Sequence, residues 1–93
     1  GLDTRPYRLD LPPSLPWIEA DLAEMIDAKE SALADERPRC DLTRVGVDLC
    51  EAAARGRFLD QSLAGRGNAL VLCEGLLMYL EEEVVRSLAC DLA

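Results

Sequence analysis

Three acidic residues are spaced almost evenly along the chain and are the residues best suited to binding chemistry. Asp21, Asp48 and Glu74 are separated by 27 and 26 residues, close to the ~30 residues of one strand–helix–strand step. Each acid closes a stretch with strand character. A carboxylate in such a place accepts hydrogen bonds from ribose hydroxyls, an adenine amino group or an α-ammonium. The spacing therefore predicts a site for a ligand that carries such donors.

Each acid also has a simpler explanation. Asp21 and Asp48 have the residue type of helix N-caps, a role worth ~1 kcal/mol each, and spacing alone does not separate a cap from a ligand. Glu19 is an alternative to Asp21 as the ribose acceptor. Glu74 is the only charged residue in the run 69–80. Because an unpaired buried carboxylate is costly, we expect Glu74 to face a crevice rather than a core.

Strands and helices alternate along the sequence. An aromatic and a β-branched residue after a proline-rich turn predict a first strand over 15–21, and the alternating stretch 42–47 predicts a second. The segment 69–73 is apolar on both faces, which is typical of a central parallel strand covered by helices. Apolar periodicity and start signals predict helices over 22–36, over 48–65, and from 81 onwards.

This alternation favours right-handed crossovers and therefore an α/β, Rossmann-like fold with about three parallel strands. In open parallel sheets the ligand lies beyond the carboxyl ends of the strands, so the three acids are expected to converge on one crevice. Such domains place a glycine-rich loop about 20 residues before the acid that takes the ribose. The interval from Gly1 to Asp21 matches that spacing.

The charge balance limits the classes of partner. Ten Lys and Arg stand against eighteen Asp and Glu, which gives a net charge of −8. An acidic surface repels a phosphate backbone and an anionic membrane alike, so we expect no nucleic acid and no membrane partner. The longest apolar run spans about twelve residues, too few for the roughly twenty that cross a bilayer. We expect a cytoplasmic protein.

The cysteines do not indicate a metal site. Cys40, Cys50, Cys73 and Cys90 have no Cys-x-x-Cys spacing, and the chain contains no histidine. A zinc site therefore lacks its usual ligands, and we expect no metal. We interpret the four residues as small buried or half-buried thiols in a reducing compartment.

Four motifs follow one another along the chain. They are Gly-Leu-Asp-Thr-Arg-x-Tyr-Arg-Leu at 1–9, Glu-x-Asp at 19–21 with Lys29 after it, Val-Asp-Leu at 47–49, and Glu-Gly-Leu-Leu-Met-Tyr-Leu at 74–80. In this order and spacing they resemble the leucine carboxyl methyltransferase family, in its bacterial branch of S-adenosylmethionine-dependent methyltransferases. The resemblance covers essentially the whole chain, and the motif at 74–80 is the most distinctive.

The resemblance implies a partial class I methyltransferase fold with S-adenosyl-L-methionine as cofactor. It also implies methyl transfer to a carboxylate or hydroxyl oxygen of a small-molecule or protein acceptor that it does not identify. By this match Gly1 belongs to the loop holding the methionine part, Asp21 binds the ribose hydroxyls, Asp48 and the backbone of Leu49 hold the adenine, and Glu74 lies beside the methionine moiety, near its ammonium. No residue is assigned as a catalytic base.

The same match implies that residues 1–93 form one partial cofactor-binding domain, truncated at both ends, which binds cofactor weakly or not at all when isolated. An NAD-dependent dehydrogenase remains an alternative, because an acid after the second strand serves that cofactor too. A dehydrogenase predicts Gly-x-Gly-x-x-Gly around Gly1, but residues 2–4 contain no glycine. A non-catalytic remnant is the third interpretation.

Overall fold

The computed structural model describes residues 3–74 and 76–93, so Gly1 lies outside the described residues. The chain divides into two compact units, the first ending at Asp48 and the second spanning Leu49–Ala93. In chain order the elements are α1 (Arg5–Arg8), β1 (Pro16–Asp21), α2 (Ala23–Ala32), β2 (Asp41–Gly46), α3 (Ala52–Leu63), a short 3-10 helix (Leu77–Tyr79) and α4 (Glu82–Leu92).

The first unit is built on two parallel strands. β1 and β2 pair in register from Pro16 with Asp41 to Asp21 with Gly46. Parallel neighbours cannot be joined by a tight hairpin, and α2 supplies the crossover between them. Both strands lie within one residue of their predicted bounds, and the prediction of a parallel α/β arrangement is confirmed for this part of the chain.

The core of the first unit is small. Ile26 on α2 and Cys40 just before β2 are each 7% exposed. Pro6 on α1 is fully buried, and its fixed φ suits the first turn of a helix. Its carbonyl oxygen accepts a hydrogen bond from the backbone N–H of Arg39 at 2.7 Å. This bond ties α1 to the segment that leads into β2.

The predicted third strand is absent from the described residues. Residues 69–74 have no regular secondary structure, and Leu70, Val71 and Leu72 are 84%, 49% and 52% exposed. An apolar run becomes a strand only where a neighbouring strand satisfies its backbone N–H and C=O groups. In the described structure the sheet consists of β1 and β2 alone. The fold is therefore α/β with a two-stranded parallel sheet, and the prediction of three strands is wrong for this structure.

The second unit contains α3 and α4. α3 begins at Ala52, four residues later than predicted, and after its C-cap at Ala64 the chain turns through Gly65 at φ 71°, the left-handed geometry that glycine adopts at helix ends. α4 follows the N-cap Glu81, as predicted, with two acids in its first turn. Negative charge there is favoured by the helix dipole.

The thiols differ from the prediction. Cys40 is buried, but Cys50, Cys73 and Cys90 are exposed. Cys73 is exposed because the run 69–73 is not covered as a central strand would be.

Across residues 3–74 and 76–93, no helix is both long enough and apolar enough to cross a membrane.

Candidate functional site

The carboxyl ends of β1 and β2 lie side by side. Asp21 ends β1 opposite Gly46, and the backbone N–H of Val47 donates to the carbonyl of Asp21 at 2.8 Å. Strand pairing therefore continues past Gly46 to the residue directly before Asp48. The structure brings Asp21 and Asp48 to the same edge of the sheet, where open parallel sheets hold their ligands.

A close backbone approach fixes this edge. A Cβ atom added at Gly46 would lie 3.0 Å from the Cα and 3.1 Å from the Cβ of Ala23, the first residue of α2. Real Cβ atoms rarely come that close to a backbone atom, so glycine is required for β2 to end against the start of α2. This packing holds the peptide that follows Asp21 in place.

Neither strand-end aspartate is the N-cap of the following helix. The N-cap of α2 is Leu22, one residue after Asp21, and the N-cap of α3 is Glu51, three residues after Asp48. The carboxylate of Asp21 instead accepts a hydrogen bond from the backbone N–H of Leu22 at 2.8 Å. The capping explanation that the sequence left open is therefore wrong for both residues.

Asp21 is a half-buried carboxylate that stays ionised. Burial by itself raises the pKa of Asp21, but hydrogen bonds to the carboxylate, including that from Leu22, and the charge of Lys29 bring it below its ordinary value. An ionised carboxylate accepts hydrogen bonds and donates none. Asp21 can therefore bind a pair of hydroxyl groups at neutral pH.

Glu19 is engaged by two cations. Lys29 Nζ lies 3.0 Å from both carboxylate oxygens of Glu19, and Arg44 Nε lies 3.1 Å from Oε2. The side chain of Glu19 is only 13% exposed, that of Lys29 6% and that of Arg44 9%. A carboxylate held this way is less suited than Asp21 to bind ribose hydroxyls, which favours Asp21 of the two alternatives.

Tyr7 extends this group of charges to α1. Arg44 Nη2 donates to the hydroxyl of Tyr7, and the Arg44 guanidinium lies 5.5 Å from the centre of the Tyr7 ring. Burial lowers the pKa of Arg44, while Tyr7 and Glu19 raise it above its ordinary value. We call Tyr7, Glu19, Lys29 and Arg44 the Glu19 cluster. It joins α1, β1, α2 and β2 directly beneath the strand ends.

Sequence reasoning missed the Glu19 cluster. Its one visible signal was Lys29, the polar residue that interrupts the apolar stripe of the α2 helix. Arg5 is also paired, because its backbone N–H and Nε both donate to Asp3 Oδ1 at 2.9 Å. In α2, the charge that interrupts the apolar stripe thus belongs to a paired side chain.

Glu74 and Leu49 belong to the second unit. Glu74 is exposed and follows the irregular segment 69–73. The backbone carbonyl of Leu49 accepts a hydrogen bond from Arg55 Nη1 at 2.8 Å. Of the residues singled out in the sequence, Asp21 and Asp48 thus share an edge of the sheet, while the placement expected for Glu74 remains a prediction. The described residues contain no group of three or more His, Cys, Asp or Glu side chains that could hold a metal ion.

The family model for leucine carboxyl methyltransferase matches residues 1–93. The chain belongs to the leucine carboxyl methyltransferase family. The resemblance carried by the four motifs is thereby confirmed, and the match favours methyl transfer over the dehydrogenase alternative. No solved structure matches the chain.

Proteins of similar sequence occur in species of Mycobacterium, Mycobacteroides and Mycolicibacterium. A protein of Mycobacterium avium (strain 104) is 39% identical over 88 residues, covering 89% of this chain and 28% of that protein. One of Mycobacteroides abscessus is 36% identical over 95 residues, covering 99% and 30%. One of Mycolicibacterium gilvum is 42% identical over 85 residues, covering 86% and 27%.

All three relatives are provisionally named S-adenosyl-L-methionine-dependent methyltransferases. These names support S-adenosyl-L-methionine as the cofactor. The chain spans less than a third of the length of each relative.

Proposed function

We propose that this chain carries part of the donor site of an S-adenosyl-L-methionine-dependent methyltransferase that methylates a carboxylate or hydroxyl oxygen. The family match over residues 1–93 is the observation that carries the proposal. The adjacent ends of β1 and β2 support it, because they hold two carboxylates at one edge of a parallel sheet. The acceptor is a small molecule or a protein group that bears such an oxygen.

S-adenosyl-L-methionine carries different hydrogen-bond donors along its length, and the proposed residues bind different parts of the molecule. Asp21 accepts from the two ribose hydroxyls, and Asp48 with the backbone of Leu49 holds the adenine. Glu74 lies near the α-ammonium of the methionine part, and Gly1 lies in the loop around that part. An ionised Asp21 fits its role, because its pKa lies below the ordinary value once burial is outweighed by hydrogen bonding.

Methyl transfer is an in-line displacement at carbon. The acceptor oxygen forms a bond to the methyl carbon while the bond to sulfur breaks, and the sulfonium becomes a neutral thioether. A hydroxyl acceptor also loses its proton. The protein accelerates such a step mainly by aligning the two partners and by the electric field around them. The residues named here bind and orient the donor.

The proposal is tested by calorimetric titration of S-adenosyl-L-methionine into the whole protein. Removing one acceptor of a charge-assisted hydrogen bond costs roughly tenfold or more in affinity, so Asp21→Asn and Glu74→Ala should each weaken binding by at least that factor. Asp27→Asn, an exposed carboxylate on α2, is the matched control and should bind like the wild type. The site assignment fails if both variants bind like Asp27→Asn. Binding of NADH in place of the methyl donor would favour a dehydrogenase.

A further inference from the structure

Arg55 is the most deeply buried charged residue among those the structure describes. It is 1% exposed, although a guanidinium loses several kcal/mol of hydration when it is buried, a cost of the order known for ions in proteins. It stands in the first turn of α3. A residue buried at such cost needs several good acceptors around it, and the structure shows three of them.

The three acceptors lie on two parts of the second unit, α4 and the turn before α3. Arg55 Nε donates to Asp91 Oδ2 at 2.7 Å, Nη1 donates to the carbonyl of Leu49 at 2.8 Å, and Nη2 donates to the hydroxyl of Ser87. Asp91 and Ser87 belong to α4, while Leu49 belongs to the turn before α3. The guanidinium therefore anchors that turn to two helices.

The contact to Leu49 is the informative one. Residues 47–51 have no helix or strand, so the conformation of this turn is not fixed by a hydrogen-bonded ladder. A charged donor to a main-chain carbonyl makes one of the stronger hydrogen bonds available to a protein. Leu49 directly follows Asp48, and these two residues hold the adenine in the proposed function.

We infer that Arg55 is a positioning residue for the adenine end of the methyl-donor site, acting through the carbonyl of Leu49. The inference rests on the proposed function and names the residue that orients one part of that site. Arg55 does not contact the donor. It fixes the peptide after Leu49 and thereby the direction of the backbone that follows Asp48.

The planar fork of arginine is essential to this role. Its nitrogen atoms point in fixed directions and reach three acceptors at once, whereas a lysine ammonium is a compact point charge on a flexible stem. Arg55→Lys therefore keeps the charge but cannot hold Asp91, Ser87 and Leu49 together. The turn at Leu49 loses its anchor even if the helices stay packed.

The test compares two ligands. S-adenosyl-L-methionine contains the adenine, ribose and methionine parts, whereas 5′-methylthioadenosine keeps the first two and, of the third, only the methylthio group, without the α-ammonium. In the whole protein, Arg55→Lys should raise the dissociation constants of both ligands about tenfold, because the turn at Leu49 must then be ordered when the ligand binds. Glu74→Gln should weaken S-adenosyl-L-methionine alone. This pattern separates the adenine end from the methionine end.

A stability control excludes a merely structural role. Leu88, on α4, is 5% exposed, so Leu88→Ala destabilises the same unit while keeping Arg55 and its three acceptors. Measured well below the melting temperatures, Leu88→Ala should bind both ligands like the wild type. The inference is overturned if Leu88→Ala weakens 5′-methylthioadenosine as much as Arg55→Lys does, or if Arg55→Lys has no effect.

A gentler variant covers the case in which Arg55→Lys does not fold. Asp91 is 38% exposed, so Asp91→Asn should fold, loosen Arg55 and weaken 5′-methylthioadenosine about threefold, a fraction of the effect of losing the whole bond. Asp60→Asn, an exposed acid on α3, is its control and should change nothing. Equal binding by these two variants contradicts the inference. A wild-type protein that binds neither ligand overturns the proposed function itself.

Discussion

At the scale of single residues, the first unit combines a small apolar core with a nearly buried charge cluster. Glu19 is the only acid of the Glu19 cluster and faces both Lys29 and Arg44. Replacing it leaves two poorly exposed cations without their counter-charge. Breaking one partner of a buried ion pair costs far more than the intact pair contributes, because the remaining charge stays desolvated.

We therefore expect Glu19→Gln to lower the free energy of unfolding by about 2–4 kcal/mol. Urea unfolding followed by the fluorescence of Trp17, the single tryptophan of the chain, reports on β1 directly. Glu24→Gln, the same change at an exposed position of α2, is the control and should stay within about 0.5 kcal/mol of the wild type. A loss no larger than that of the control would show that the cluster contributes little.

Asp3 predicts a pH dependence. Burial raises the pKa of Asp3, but its hydrogen bonds from Arg5 outweigh burial and bring the pKa below the ordinary 3.8. A lowered pKa in the folded state stabilises the fold above that ordinary value, and the contribution is lost as pH falls through the lowered pKa. Asp3→Asn should thus be less stable than the wild type at pH 7.

The gap between Asp3→Asn and the wild type should narrow as the pH falls through the lowered pKa of Asp3, because Asp3 then becomes neutral like the asparagine. Urea unfolding of the two proteins at pH 7, 4 and 2 measures this. Asp10→Asn, another exposed acid, serves as the reference for general acid effects. A gap of constant size at all three pH values would contradict the assignment.

At the scale of elements, the sequence predicted β1, β2 and the starts of α2 and α4 because their signals are local, whereas α2 ends at Ala32, four residues before its predicted end. Alternating β-branched residues predicted the strands, and Glu81 to Glu83 marked the start of α4. The sequence could not predict where α3 begins, because Asp48 and Glu51 offer two competing start signals. The prediction of a strand over 69–73 was wrong. An apolar run indicates that a segment avoids water, but it does not supply a neighbouring strand to pair with.

Alanine substitutions at Gly56, inside α3, and at Gly65, just after it, should change stability in opposite directions. Gly56 lies inside the helix with open space around its Cα, whereas Gly65 has φ 71°. Gly56→Ala should raise stability by about 0.5–1 kcal/mol by reducing the freedom of the unfolded chain, and Gly65→Ala should lower it by about 1 kcal/mol through strain. Thermal unfolding followed by circular dichroism measures both.

Gly67 provides the control for these variants, because it also has open space but no left-handed φ. Gly67→Ala should lie between the other two in melting temperature. If Gly65→Ala melts with or above Gly56→Ala, the left-handed turn after α3 is not what ends the helix.

At the scale of the whole molecule, only part of the candidate site could be predicted from the sequence. Sequence reasoning placed Asp21 and Asp48 at the ends of successive strands, because such positions follow from the alternation of elements. It could not find the Glu19 cluster or the contacts of Arg55, because these join residues 6 to 37 positions apart whose pairing depends on how the elements pack. Long-range side-chain partners are set by packing, which leaves no local pattern in the sequence.

The 93 residues by themselves should associate. Leu70, Val71 and Leu72 are exposed, and the described sheet has two strands, so each strand has an edge open to pairing. Sedimentation velocity should show concentration-dependent association that Leu70→Lys with Val71→Lys reduces. Leu22→Lys, at an exposed apolar position on its own, should not. A monomer at all concentrations would contradict this expectation.

The burial of Lys29 has a consequence for proteolysis. It is the only lysine of the chain, so a lysine-specific protease has a single peptide bond to cut, between Lys29 and Glu30. That bond lies inside α2, and the Lys29 side chain is 6% exposed. A protease must therefore wait until the first unit opens, and when reclosing is fast the cleavage rate follows the population of the open form. The rate of cleavage after Lys29 therefore reports how often the unit formed by β1, α2 and β2 unfolds.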